Sequence, residues 1–196
     1  MPDARAPRRL FDDGHRRLAH AVYGFFDNGG SRCFVVRITD VGELDAALAA
    51  LATIDEIALV CAPGMTDAVT RDKLVAHCAA TGDRFAILDG PPAAPELDAL
   101  TKTGENGLAP KRSDLAAWYF PWIEVFDPAT RLQDRTGEAR LAVPPSGHVA
   151  GIYARVDTQR GVHKAPANEP IRGALGLTQA LSRADQDGLN PSGVNC

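Results

Sequence analysis

The first half of the chain alternates short apolar runs with amphipathic stretches. The apolar runs are residues 33–38 (CFVVRI), 57–61 (IALVC) and 84–88 (RFAIL), and none alternates strictly between apolar and polar positions. Such runs are typical of strands that are buried on both faces of a parallel sheet. We therefore predict three strands, separated by segments rich in glycine, proline, asparagine and aspartate.

Two helices are predicted between these strands. Asp40 and Glu43 form a capping-box-like start to the first helix, whose apolar face is Leu44, Ala47, Leu48 and Leu51. Thr66 is the candidate N-cap of the second helix, and Gly82 stands where a helix C-terminus favours glycine. This order predicts an α/β fold with a mainly parallel or mixed sheet and flanking helices.

The second half of the chain is less regular. Residues 90–112 are rich in proline and indicate a loop with at most one short helix. Ser113 is a candidate cap for a helix that runs to about Phe120, because Pro121 must end it. Residues 122–126 (WIEVF) are a fourth strand candidate, residues 127–140 indicate an exposed excursion or hairpin, and residues 141–143 resume an apolar edge.

The region after Pro145 predicts one well-defined helix. Ser146 is its candidate N-cap, Gly161 ends it, and its apolar face is Val149, Ile152, Tyr153 and Val156. A further helix is predicted over residues 178–187. Residues 189–196 (LNPSGVNC) are predicted to form a loop that leads into a strand beyond the last residue.

Composition narrows the functional classes. The 196 residues suffice for one domain with a full core, and 45% of them are hydrophobic. The net charge of −4 argues against a nucleic-acid binder. No apolar run reaches the length of a membrane span, and no signal-peptide core is present, so we expect a soluble protein made in the cytosol. Residues 1–20 carry five arginines and are predicted to be a basic, partly disordered arm.

The chain does not contain the residue spacing that the common active-site motifs require. Asn28-Gly29-Gly30-Ser31 precedes a predicted strand, so a tight turn is favoured over a phosphate loop. Ser146 and His148 lack the GxSxG context of a nucleophile elbow, which favours a helix cap and a polar first-turn residue. Histidines in metal-binding spacing are missing too, since His148 and His163 lie at opposite ends of one helix, about 20 Å apart.

The four cysteines and the nearby charged loop also have plain explanations. Cys33, Cys61 and Cys78 occupy apolar contexts and are predicted to be core thiols, while Cys196 is the last residue. Lys164 and Glu169 fit a solvated or interface loop. We therefore predict no catalytic, cofactor-binding or metal-binding residues. Two alternatives stay open, namely an α/β enzyme or ligand-binding domain with a site near Ser146, His148 and Lys164, and an interaction module that uses the aromatic cluster Trp118, Tyr119, Phe120 and Trp122.

Four segments carry a specific family resemblance. They are residues 24–38 (GFFDNGGSRCFVVRI), 118–128 (WYFPWIEVFDP), 143–173 (VPPSGHVAGIYARVDTQRGVHKAPANEPIRG) and 189–196. From about His20 onward the chain resembles contractile phage tail sheath proteins, a family that includes the sheaths of R-type bacteriocins and of related contractile injection particles.

The resemblance implies a structural protein without an active site or cofactor. Sheath subunits are expected to form a helical homopolymer around a tail tube, and to contract and drive the tube through a target envelope. The implied partners are other sheath subunits, the tube protein, and baseplate and terminator proteins, without nucleic acid or membrane insertion. The implied location is a virion tail or phage-like particle assembled in the host cytoplasm. Residues 21–196 would form the sheath domain without its usual C-terminal strands and arm.

Overall fold

The computed structural model describes residues 13–105, 107–128 and 139–196. Within these ranges the chain forms α-helices, strands and three short 3-10 helices (Val41–Glu43, Leu97–Thr101 and Asn190–Ser192). In chain order the main elements are α1 (Asp13–Asp27), α2 (Leu44–Ala52), β1 (Leu59–Val60), α3 (Ala68–Thr81), β2 (Phe85–Asp89), β3 (Ala116–Tyr119), β4 (Ile123–Phe126), β5 (Arg140–Val143), α4 (Ser146–Arg160), β6 (Ala174–Leu177), α5 (Arg183–Leu189) and β7 (Val194–Asn195).

The strands form two sheets. The larger sheet is parallel and has the order β1-β2-β3-β7, with Ala86 of β2 opposite Ala116 of β3. The smaller sheet is antiparallel and has the order β5-β4-β6. The predicted α/β fold, with a parallel sheet and flanking helices, is confirmed.

The larger sheet is covered on both faces, and this explains the unbroken apolar character of its strands. Ala86 and Leu88 of β2 belong to the main core, together with residues of α2 and α3. Ile87 points to the opposite face, where it packs with Val149 and Ala150 of α4. Because Ala86, Ile87 and Leu88 are all buried, no polar residue interrupts the run before Asp89 at its end.

The helix boundaries follow local capping chemistry. The side chain of Asp40 accepts a hydrogen bond from the N–H of Gly42 (2.6 Å), just before α2. The cap of α3 is Asp67 rather than the predicted Thr66, because the Asp67 carboxylate accepts from the N–H of Thr70 (2.8 Å). Gly82 ends α3 in the left-handed conformation (φ +74°), as predicted.

The predicted strand over residues 33–38 is wrong. This segment follows the turn at Asn28 and Gly29, and in the described part of the chain its backbone pairs with no strand. Phe34, Val35 and Val36 are 40% to 50% exposed. A high β propensity forms a strand only where the segment pairs with a partner edge, and among the described residues this segment does not.

The predicted helix from Ser113 to Phe120 is also wrong. Residues 116–119 form β3 instead, in a complete parallel register with residues 86–89 of β2. The Ser113 hydroxyl accepts a hydrogen bond from the N–H of Leu115 (3.1 Å), which makes a local turn and not a helix cap. Tertiary pairing therefore overrides the local helical pattern.

The ends of the described chain differ from the prediction as well. Residues 13–20, assigned to the arm, form the first half of α1, and the rest of the arm lies outside the described residues. The last helix begins at Arg183, five residues later than predicted, behind a capping box between Ser182 and Asp185. Val194 and Asn195 already form β7 against β3, where only a loop was predicted.

Candidate functional site

Ser146 lies at the junction between β2 and α4. Its backbone N–H and hydroxyl both donate to the carboxylate of Asp89 at the end of β2, at 2.9 and 2.7 Å. The N–H of Gly64 donates to the same carboxylate at 3.0 Å. Ser146 is thus the first residue of α4 and not its N-cap, because the buried Asp89 takes over the task of satisfying the free N–H groups of the helix start.

The Asp89 side chain is a buried carboxylate at a helix N-terminus. Only 2% of the residue is exposed, and burial raises the pKa of Asp89 to about 6, against the opposing effect of the hydrogen bonds from Ser146 and Gly64. Asp89 therefore connects the end of β2 with the loop at Gly64 and with the start of α4. The Ser146 hydroxyl is fully buried and already donates its proton, so it is not available to a substrate as a nucleophile.

His148 lies in the contact between α1 and α4. It is 2% exposed, and its ring packs directly on Gly24 of α1. Burial lowers the pKa of His148 to about 4, and the nearby His20 acts in the same direction. Its Nδ1 is buried without a hydrogen-bond partner in the described structure. His148 lies in the first turn of the helix, as predicted, but its side chain is neutral and buried in the core.

The two helices approach so closely because glycines stand at the contact. A Cβ atom at Gly147 would lie 2.5 Å from both the Cα and the carbonyl oxygen of Ala21 in α1. One turn later, Gly151 faces the backbone of Phe25 and the side chain of Asn28. Any larger residue at these positions would push α4 away from α1.

A buried polar network fixes the loop that follows α4. Asn28 is fully buried, and its side-chain carbonyl accepts from the N–H of Arg172 (2.8 Å). Its backbone carbonyl accepts from Arg155 of α4 (3.1 Å), and Arg155 also donates to the carbonyl of Pro170 (3.1 Å). The end of α1, the middle of α4 and residues 170–172 are thereby joined.

The predicted candidates do not form one site. Ser146 begins α4 while Lys164 follows its end, and a helix of 15 residues spans about 21 Å. Lys164 donates to the carbonyl of Ala165 (2.9 Å) and lies 3.5 Å from Glu169, which also contacts Arg155 at 3.6 Å. These contacts order the loop, and no nucleophile and base come together.

The remaining predicted features have structural roles. The Asn28-Gly29 segment is a turn, as predicted. Among the residues that the structure describes, there is no group of three or more potential metal ligands, and no helix is long and apolar enough to span a bilayer. Cys78 is buried, Cys33 and Cys61 are partly covered, and Cys196 is exposed. Trp118, Phe120 and Trp122 are at most 5% exposed, so these aromatic residues belong to the core rather than to a docking surface.

Sequence reasoning missed the three residues that organise this region, Asn28, Asp89 and Arg155. Two of them, Arg155 and Asp89, had a weak signal. Arg155 stands three positions after Ile152, on the apolar side of α4, and Asp89 directly follows the apolar residues 85–88. A charged residue in such a position indicates a buried polar contact, although its partner remains unknown from the sequence.

Comparison with known families gives a match over most of the chain. Residues 40–196 match the family described as phage tail sheath protein central domain. A putative prophage major tail sheath protein of Pseudomonas aeruginosa (strain UCBPP-PA14) is 27% identical over 103 residues. That alignment covers 53% of this chain and 23% of the relative.

Solved structures show the same similarity in three dimensions. A chain of the anti-feeding prophage helical sheath in its contracted state matches with a TM-score of 0.63 and 28% identity, over 90% of this chain and 46% of that one. The contracted PVC sheath complex of an extracellular contractile injection system matches with a TM-score of 0.66 and 30% identity, over 89% of this chain and 43% of the other. The chain therefore spans less than half the length of these relatives.

Proposed function

The chain belongs to the phage tail sheath protein family, through its central domain, and on that premise we propose that it is a structural part of a contractile tail sheath. The observation that carries the proposal is the family match over residues 40–196. The two sheath structures reported above, both contracted, support it with the same fold at 28% and 30% identity. In such an array the whole subunit would surround a tail tube and help drive it through a target envelope.

The packing of the domain suits this role. Sheath contraction requires subunits that move as rigid bodies against one another while their interiors stay intact. Here α1 and α4 touch through backbone atoms at Gly147 and Gly151, and buried hydrogen bonds of Asp89 and Asn28 join the neighbouring loops to them. A close-packed interior of this kind transmits force and resists deformation.

The proposal includes the absence of catalysis. Its support is that the Ser146 hydroxyl is buried on Asp89, that the ring of His148 is enclosed against Gly24, and that Lys164 lies beyond the other end of α4. An enzyme that used these residues would need them within hydrogen-bond reach of a common substrate. No contact described above favours that alternative.

The partners and the location follow from the proposed role. Identical subunits in a helical array make heterologous contacts that do not close on themselves. The expected further partners are a tail tube protein, a baseplate protein and a terminator protein, in a phage-like particle that assembles in the host cytoplasm. These partners are tested by co-expression, one at a time.

Electron microscopy tests the proposed function. The full-length gene product is expressed with its tube protein, and the particles are examined after negative staining. We expect hollow tubes in which subunits surround an inner tube. If the product instead stays monomeric, and a small ligand shifts its melting temperature, the sheath function is wrong and the ligand-binding alternative gains support.

A further inference from the structure

Two buried side chains at the contact of α3 with the parallel sheet have N–H groups without an acceptor. Arg71 of α3 is 8% exposed, and Trp118 of β3 is 3% exposed. Among the described residues, neither the Nε–H of Arg71 nor the indole N–H of Trp118 has a hydrogen-bond partner. A donor that has lost water on burial and gained no acceptor is costly, so folded proteins almost always satisfy it.

The two N–H groups lie in one small region. The guanidinium carbon of Arg71 is 5.9 Å from the centre of the Trp118 ring. The Nη1 atom of Arg71 donates to the carbonyl of Leu108 at 2.6 Å. This bond fixes the guanidinium between α3, the loop at Leu108 and β3, next to the indole ring.

The same two kinds of group are satisfied elsewhere in the chain. Arg84, which is 5% exposed, donates from all three of its nitrogens, and its two terminal nitrogens reach backbone carbonyls at 2.8 Å. Trp122 donates its indole N–H to the carbonyl of Gly90, also at 2.8 Å. The protein supplies acceptors for these donors and supplies none for the Nε–H of Arg71 and the indole N–H of Trp118.

The positive charge of Arg71 also lacks a close counter-charge. The carboxylate of Asp67 accepts from the N–H and the hydroxyl of Thr70, at 2.8 and 2.7 Å. The carboxylate of Asp72 pairs with Lys111 at 2.7 Å. Both aspartates are thus engaged elsewhere and attract Arg71 only from a distance. A buried cation in such surroundings favours an anion beside it.

We propose that a small monovalent anion, of the size of chloride or bromide, binds at this contact and accepts from the Nε–H of Arg71 and the indole N–H of Trp118. Both side chains only donate hydrogen bonds, so a ligand that only accepts matches them. A water molecule would bring two hydrogens that need acceptors of their own, and the Leu108 carbonyl already accepts from Arg71. The burial of both residues excludes a larger ligand.

Halide titration at constant ionic strength tests the stabilising effect of this anion. Arg71 and Trp118 come together only in the folded chain, so binding should stabilise the native state. Sodium gluconate keeps the ionic strength constant, because gluconate is too large for a buried site. Raising bromide from about 1 to about 100 mM should raise the melting temperature by at least about 2 °C.

Four variants separate this site from a general salt effect. Trp118→Phe removes the indole N–H and keeps an aromatic ring, and Arg71→Met removes the guanidinium and keeps the apolar stem. Each should abolish the bromide-dependent shift, and Trp118→Phe decides the point if Arg71→Met does not fold. Trp122→Phe and Arg84→Met are the matched controls. They lose donors whose acceptors belong to the protein, so they should be less stable but keep the full shift.

Crystals grown in sodium bromide locate the ion directly. An anomalous difference map at the bromine absorption edge should show a peak at hydrogen-bonding distance from both nitrogens. An ordered water without anomalous signal at this place would overturn the inference. A bromide peak without any shift in melting temperature would mean an adventitious ion only, and would overturn it too. Equal bromide shifts in Trp118→Phe and Trp122→Phe would assign the effect to another place. None of these measurements depends on the proposed sheath function.

Discussion

Replacing Gly147 with alanine should weaken the contact between α1 and α4. The added Cβ would lie 2.5 Å from the Cα and carbonyl oxygen of Ala21, closer than carbon atoms approach one another without bonding. Overpacking typically costs about 1–3 kcal/mol, and we place this change near the upper end because the obstructing atoms are backbone. Alanine regains about 0.8–1.0 kcal/mol of helix propensity, which leaves a net loss of about 2 kcal/mol in the free energy of unfolding.

Gly188 provides a matched control for this substitution. It lies inside α5, and a Cβ atom there would meet no heavy atom within 4 Å. Gly188→Ala therefore has the gain in helix propensity without the clash, and should raise the free energy of unfolding by up to about 1 kcal/mol. The two glycine-to-alanine changes should thus have opposite signs.

Urea denaturation and thermal denaturation, each followed by tryptophan fluorescence, measure both variants. Trp118 and Trp122 are buried, so their emission reports unfolding of the core. For a chain of this size, the melting temperature of Gly147→Ala should fall by about 4–8 °C, while that of Gly188→Ala should rise by about 2–4 °C. A Gly147→Ala variant as stable as the wild type would refute the backbone contact described here.

Four further outcomes are expected. Burial raises the pKa of Asp89 to about 6, above its value in the unfolded chain. The contribution of Asp89 to the free energy of unfolding is therefore full below about pH 4, and about 3 kcal/mol of it is lost as the pH rises through 6. Asp89→Asn should abolish this loss in pH-dependent urea denaturation. Burial lowers the pKa of His148 to about 4, so its contribution to the free energy of unfolding is full above about pH 6.5 and is lost as the pH falls through 4. His148→Leu should remove this acid sensitivity. Arg155→Met should lower the free energy of unfolding by about 2–3 kcal/mol and speed hydrogen exchange in residues 161–173. The Cys78 thiol, fully buried and with its pKa raised to about 11, should react with a thiol reagent only after unfolding.

Each of these outcomes has an internal check. Between pH 4 and 6 the contributions of Asp89 and His148 to stability oppose each other. Acidification should therefore stabilise His148→Leu, which keeps Asp89, and destabilise Asp89→Asn, which keeps His148. Parallel plots of the free energy of unfolding against pH for the two variants would contradict both pKa values. Arg160→Met, at an exposed position of α4, should change stability by less than about 0.5 kcal/mol. The exposed Cys196 should react in the native state, and equal reactivity of Cys78 would argue against its burial.

The elements that could be predicted from the sequence are those in which the pattern of apolar residues follows from burial. Residues 57–61 and 85–88 are apolar throughout because helices cover the sheet on both faces, and β1 and β2 appeared where expected. The apolar face of α4 was predicted for the same reason, since Val149, Ile152 and Val156 are buried. The glycine that ends α3 was predictable because only the local backbone requires it.

The failures all depend on partners that are distant along the chain. Residues 33–38 have the composition of a strand, yet they pair with no other strand in the described structure. Residues 116–119 became β3 because β2 offered a free edge, which a local helical pattern does not reveal. Ser146 was read as a cap because its acceptor, Asp89, lies 57 residues earlier and its approach depends on the whole fold.

The central claim is that this chain is part of a contractile sheath, and one measurement tests it most directly. Cryo-electron microscopy of the full-length gene product, co-expressed with its tube protein, should show helical tubes. The density of each subunit should contain the parallel sheet β1-β2-β3-β7 with α4 packed on α1. Well-folded subunits that never assemble with the tube protein, under conditions in which the tube protein itself polymerises, would contradict the claim.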